Sequence, residues 1–103
     1  MERNSDLCEM AQHNLPLLGA GHARVECAQA EDFLDGAGQQ DLIFLDPARR
    51  DDAGRKVVAL SDCSPDVAAL SPALLSRSRV VMVKLSPMLD IGQALLSLHA
   101  VRE

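Results

Sequence analysis

The sequence predicts an α/β fold: a partial doubly wound, mostly parallel sheet within a single domain spanning residues 1–103. Three observations predict it. Two apolar runs, Leu42-Ile43-Phe44-Leu45 and Val80-Val81-Met82-Val83, lack the alternation of a half-exposed strand. Runs of that kind suit parallel strands buried on both faces. The segment between them contains helical periodicity, as a right-handed crossover requires. The chain of 103 residues is 48% hydrophobic, which fits one globular unit, and only 2% aromatic, so its core must be aliphatic.

The elements follow in order. Ser5 to Leu18 reads as a helix, with Leu7, Met10 and Ala11 on one face and Asn4 or Ser5 as its cap. Pro16 ends or kinks it, and Gly19-Ala20-Gly21 makes the turn. Ala23 to Ala28 reads as a short strand, with Val25 and Cys27 to one side and Arg24 and Glu26 to the other. Glu31 to Leu34 forms a helical turn, broken by Gly36 and Gly38. Asp41 to Pro47 is the clearest strand, and Pro47 stops its ladder for want of an N–H.

Ala48 to Ser64 reads as a charged loop with an apolar piece at Val57 to Leu60. Pro65 to Ser78 reads as helix, with Val67, Leu70, Leu74 and Leu75 as its buried stripe. Arg79 leads into the strand Val80 to Leu85, closed by Ser86-Pro87. Asp90 to His99 is a final helix, with Ile91, Leu95 and Leu98 spaced for a core-facing side.

A chain this short buries a modest fraction of its surface, so its stability is marginal without further segments or a partner. A formal charge of -5 argues against a freestanding nucleic-acid binder, while leaving room for a local basic patch. Cys8, Cys27 and Cys63 show no CxxC or CxH spacing, so the sequence supports neither a metal site nor a disulfide framework. They read as buried or half-buried thiols of a reducing compartment. No run is long enough to span a membrane and no signal-peptide pattern is present, so the expected location is cytoplasmic. His13, His22 and His99 are scattered and read as surface or helix-end residues.

Ligands of open parallel sheets bind outside the C-terminal ends of the strands. Asp32 lies just after the first strand, Asp46 ends the second and Ser86 ends the third. Glu2 precedes a capped helix, where an earlier strand would end. Each has a simpler reading beside the functional one. Glu2 favours the dipole of the helix it precedes, and Asp32 caps a short helix. Asp46 requires partners if it ends a buried strand. Lys84, late in a buried strand, must reach solvent or a carboxylate, and an ion pair with Asp46 is the expectation. Arg49, Arg50, Arg55 and Lys56 form a basic cluster, suited either to a phosphate-bearing substrate or to pairing with Asp51 and Asp52.

Met1-Glu2-Arg3-Asn4, with its following helix, resembles the segment after the second strand of class I AdoMet-dependent methyltransferases. Ala30-Glu31-Asp32-Phe33-Leu34 looks like that family's next motif, and Asp46-Pro47-Ala48-Arg49 is similar to its fourth. The resemblance is nearest to a bacterial group with a DPARR signature, often followed by a THUMP-like C-terminal domain. Its motifs read here as Asp46-Pro47-Ala48-Arg49-Arg50, Asp62-Cys63-Ser64-Pro65 and Val83-Lys84-Leu85-Ser86-Pro87. They span nearly the whole chain. The resemblance implies S-adenosyl-L-methionine (AdoMet) as cofactor, with Glu2 on the ribose, Asp32 on the adenine, and Asp46 with Pro47 at the methyl-transfer site. It also implies Arg49, Arg50, Lys84 and Ser86 on the substrate side, with RNA the favoured acceptor and no metal.

The departures are specific. The family's first strand and its glycine-rich cofactor loop have no counterpart here, since Gly19-Ala20-Gly21 follows a helix. That strand lies between the second and fourth, and the last strands are also lacking. The chain therefore reads as an internal fragment, completed by N-terminal and C-terminal segments of the same protein. Uracil-C5 RNA methyltransferases also carry Asp-Pro-x-Arg, but they place a nucleophilic Cys at the next strand end. Here that end is Leu85-Ser86-Pro87, and Cys63 lies well before it. Two other readings stay open: a non-catalytic remnant or interaction module on the same scaffold, and a Rossmann-type dinucleotide binder.

Overall fold

The computed structural model describes residues 1–49, 60–87, 89–98 and 100–102, and the side chains at positions 49 and 62 lie outside that description. The fold is mixed α/β and divides into two compact units, Met1–Gly36 and Ala37–Glu103.

In the first unit, α1 spans Ser5–Leu17. Asn4 caps it in extended conformation, its side-chain oxygen accepting from the backbone N–H groups of Asp6 and Leu7 at 2.9 and 3.3 Å. Pro16 fits inside the last turn. The helix ends in a Schellman motif: Ala20 N–H donates to Leu15 O at 2.8 Å and Gly19 N–H to Pro16 O at 3.1 Å. Gly19 takes φ +78°, the left-handed position this motif needs. The helix presents Cys8, Ala11 and Leu15 inward, buried or half-buried at helical spacing. Of the predicted Leu7, Met10 and Ala11 face only Ala11 turns inward; Leu7 and Met10 are 48% and 58% exposed.

The predicted strand at 23–28 is reduced to a single parallel bridge, Glu2 to Cys27. Glu2 N–H donates to Glu26 O and Ala28 N–H to Glu2 O, both at 3.0 Å. A ladder grows only where neighbouring strands and a packed face support it, and here Arg24, Glu26 and Cys27 are all exposed. The helical turn predicted at Glu31 to Leu34 extends to α2, Ala30–Gly36, with Leu34 buried.

In the second unit, β1 (Gln40–Leu45) pairs in parallel with β4 (Ser78–Val83). A short antiparallel pair joins β2 (Ala48–Arg49) to β3 (Cys63–Ser64), after a 3-10 turn at Leu60–Asp62. The crossover helix α3 spans Val67–Arg77 and packs on β4. Asp66 caps it, accepting from Ala69 N–H at 3.1 Å. Val67 and Leu74 of the predicted stripe are buried, joined by Ser71 and then by Ser78 in place of Leu70 and Leu75. Leu70 is half-buried and Leu75 is exposed. Ser78 tolerates burial because its hydroxyl donates to Val80 O at 2.8 Å.

The strands are where expected, but they are not buried on both faces. Leu42 and Phe44 stand opposite Val80 and Met82, and all four side chains are half or more exposed. On the other face Ile43, Leu45, Val81 and Val83 are half-buried or buried. Parallel sheets need a covering layer on each side, and among the described residues of this unit no element supplies the second one. The last helix, α4 (Ile91–Ser97), is capped by Asp90, which accepts from Gln93 N–H at 3.1 Å. Its inward line is Ala94 and Leu98 rather than the predicted Ile91–Leu95–Leu98 stripe; Ile91 is 75% exposed and Leu95 52%. The core of this end joins Leu60, Cys63, Leu89 and Ala94, with Leu85 and Leu98 against it. His99 lies outside the described residues.

Candidate functional site at the parallel strand ends

The site grows from the strand register. Leu45 pairs with Val83, so β1 and β4 finish level, and the next residue of each chain segment becomes a neighbour of the other. Lys84 N–H extends the ladder by donating to Leu45 O at 2.8 Å. That leaves the Asp46 and Lys84 side chains side by side, and Lys84 Nζ donates to Asp46 Oδ2 at 2.7 Å. The predicted ion pair is therefore present. It is solvent-accessible on both sides, with the side chains 66% and 53% exposed, so its own contribution to stability is about 0–1 kcal/mol. Its structural effect is directional: one carboxylate oxygen is held and the strand-end charge is compensated.

Pro47 then turns the chain out of the ladder, as its missing N–H requires. Ala48 and Arg49 return as β2 against Cys63 and Ser64. On the other side Ser86 and Pro87 leave β4, and Leu89 N–H closes the turn onto Ser86 O at 3.0 Å. These segments surround a pocket of about 290 Å³, lined by Asp46, Pro47, Ala48, Cys63, Lys84, Leu85, Ser86, Pro87 and Leu89. Its lining combines apolar residues (Leu85, Leu89 and the buried Cys63) with the ion pair and Ser86. An apolar cavity with a few convergent polar groups is the usual form of a small-ligand site, and this volume is near the lower bound for one.

Four of the predicted site residues, Asp46, Pro47, Lys84 and Ser86, thus converge on one pocket. The Arg49 side chain and Arg50 lie outside the described residues. Arg55, Lys56, Asp51 and Asp52 do as well, so both readings of the basic cluster stand as expectations.

Glu2 and Asp32 belong to the other unit. Glu2 is half-buried, and its Oε1 accepts from Asn4 N–H at 2.8 Å, just before the cap of α1. Asp32 is exposed in the first turn of α2, where a carboxylate opposes the helix dipole favourably.

Among the lining residues that sequence reasoning did not assign to the site, Cys63 is the one with a reactive side chain. It lies inside the quoted Asp62-Cys63-Ser64-Pro65 motif, but its approach to the strand end depends on the non-local pairing of 63–64 with 48–49. It is 2% exposed and does not stand at the end of β4. Among the described residues no cluster of His, Cys, Asp or Glu is arranged to hold a metal ion, and no helix is long and apolar enough to cross a membrane.

Set against known proteins, the chain finds no match among family models, curated proteins or solved structures.

Proposed function

We propose that the chain is part of a class I AdoMet-dependent methyltransferase domain, whose site is completed by further segments of the same protein. The observation that carries this reading is the strand-end pocket where Asp46-Pro47 meets Lys84 and Ser86. It opens where open α/β sheets receive ligands. The parallel pairing of β1 with β4, and of Glu2 with Cys27, is the sense of pairing that such a sheet requires.

The residues present fit the cofactor in their donor chemistry. Carboxylates accept hydrogen bonds from vicinal hydroxyls and from an amino group, which suits Glu2 to the ribose and Asp32 to the adenine. The pocket volume suits one end of AdoMet or an acceptor group, rather than the whole cofactor. AdoMet supplies an electrophilic methyl group on a positively charged sulfur.

The protein contributes position and electrostatics. Pro47 fixes the rim beside Asp46. Lys84 holds Asp46 Oδ2 in one direction, and Asp46 orients an amine or hydroxyl acceptor and receives its proton. Ser86 lines the acceptor side. Arg49 and Arg50 follow Asp46 in sequence, which suits them to phosphates of an RNA acceptor.

A second reading, an interaction module on the same scaffold, is favoured by the apolar face of Leu42, Phe44, Val80 and Met82. Calorimetric titration of AdoMet into the protein with the segments that complete the site, once circular dichroism has established that it is folded, separates the two. The methyltransferase reading expects saturable binding, weakened in Glu2→Ala by about 1–3 kcal/mol through lost charged hydrogen bonds. A folded, completed protein that takes up no AdoMet speaks for the interaction module.

A further inference from the structure

Two of the cysteines that the sequence scatters across the chain converge on one stretch of backbone. Cys8 lies in the first half of α1, whose start is fixed by the Asn4 cap. Cys27 is held opposite Glu2 by the two hydrogen bonds of the parallel bridge. Both thiols turn toward the same stretch of backbone. Cys8 Sγ donates to Glu2 O at 3.2 Å, and Cys27 Sγ to Arg3 O at 4.0 Å. Their acceptors are consecutive carbonyls, so both thiols hang on one short stretch of backbone.

We propose that Cys8 and Cys27 are an oxidisable thiol pair that closes into a disulfide and staples α1 to the segment carrying Cys27. The inference is independent of the methyltransferase reading. It needs only the first unit, Met1–Gly36, to hold its fold.

The two sulfurs have different roles. Burial pushes the Cys8 thiol up to about 11, with the Cys27 thiol and then the charge of Glu2 adding to it. Cys8 is therefore not the sulfur that meets an oxidant in solution, since the thiolate is the reactive form. Cys27 is exposed and is. With a peroxide as oxidant, the Cys27 thiolate attacks one peroxide oxygen and the O–O bond breaks. This gives a sulfenic acid on Cys27 and, with a proton, one water. The Cys8 sulfur then attacks Cys27 Sγ; the S–S bond forms, the S–O bond breaks, and hydroxide leaves with the Cys8 proton as water. Two thiols and one peroxide become one disulfide and two waters. Closure removes the donors to Glu2 O and Arg3 O, so it alters the backbone frame in which the Glu2 carboxylate sits.

Cys63 provides the internal contrast. It is buried in the other unit and takes no part in the pair. Arg3, Arg24, Arg50 and Arg77 place the three cysteines on separate tryptic peptides, so each linkage is distinguishable.

The test is limited oxidation of the full chain with one equivalent of hydrogen peroxide, alkylation of remaining thiols, digestion without reductant and mass spectrometry. The expected product is the Cys8–Cys27 peptide pair, lighter by two hydrogens, at roughly tenfold or more over either linkage to Cys63. That preference is expected to vanish when oxidation is carried out in denaturant. In Cys8→Ser, Cys27 is expected to stop at the sulfenic acid and be trapped by dimedone. A native product distribution equal to the denatured one, or an intermolecular Cys27–Cys27 dimer as the main product, overturns the proposal.

Discussion

The two units of this chain handle the same problem differently. In Ala37–Glu103, two apolar segments far apart in sequence pair as β1 and β4, and α3 lies against β4. In Met1–Gly36, the segment around Cys27 keeps only one bridge to Glu2. The difference is not backbone propensity, since Val25 and Cys27 suit a strand. It lies in what covers the side chains. Leu45, Val67 and Leu74 are buried in the larger unit, whereas the segment 23–28 has no buried residue. A strand persists when packing adds to its hydrogen bonds, and shrinks to a bridge when it does not.

The largest expected effect therefore lies in the larger unit. Leu74, 2% exposed, is the packing centre of α3, and Leu74→Ala should destabilise by about 2–5 kcal/mol. Denaturant unfolding measures this, and hydrogen exchange of β4 amides locates it. A loss below about 1 kcal/mol would mean that α3 is not what holds the sheet.

In the smaller unit the ends of α1 carry more of the structure than its core does. Gly19→Ala places a Cβ at φ +78°, although no atom lies within 4 Å of it. The penalty is then conformational alone, about 1–2 kcal/mol, read as fraying of the last turn of α1 by carbon chemical shifts. An unchanged helix end would remove the Schellman motif from the account of this unit.

Alkaline titration probes the same unit without a mutation. The Cys8 thiol is raised from 9.0 to about 11 by burial and by its neighbours. The folded unit therefore holds that proton more tightly than the unfolded chain. The linked stability is full below pH 9 and is lost as pH rises toward about 11. Cys8→Ser should flatten that loss.

The smallest expected effect on stability belongs to the best-formed polar contact. An Asp46→Asn, Lys84→Met double-mutant cycle should return a coupling of about 0–1 kcal/mol, reduced by salt. A coupling well above that range would mark the pair as a fold determinant instead of a rim feature of the pocket.

These contrasts also explain what was legible in the sequence. The positions of β1, β4, α1 and α3 were readable because apolar runs, capping residues and Gly19 act locally. The Asp46–Lys84 pair was readable because parallel strands that end level leave adjacent termini. Burial was less legible. Helical spacing groups Ile91, Leu95 and Leu98, yet only Leu98 packs against the core, because spacing says nothing about which neighbour arrives to cover a face. Likewise the runs in β1 and β4 read as doubly buried, while Phe44 and Met82 face outward. Cys63 and the Cys8–Cys27 convergence were hidden for a related reason, since both depend on pairing between segments far apart in sequence.

On the reading proposed above, the β1–β4 strand ends form the ligand site. The measurement that tests this is an AdoMet titration of the isotopically labelled protein, with the segments that complete its site, followed by backbone amide chemical shifts. Saturable shifts concentrated at Asp46, Ala48, Cys63, Lys84, Leu85 and Ser86, and lost in Asp46→Ala, are the predicted result. Saturable shifts confined to residues away from this pocket, or none in the folded, completed protein, would contradict it.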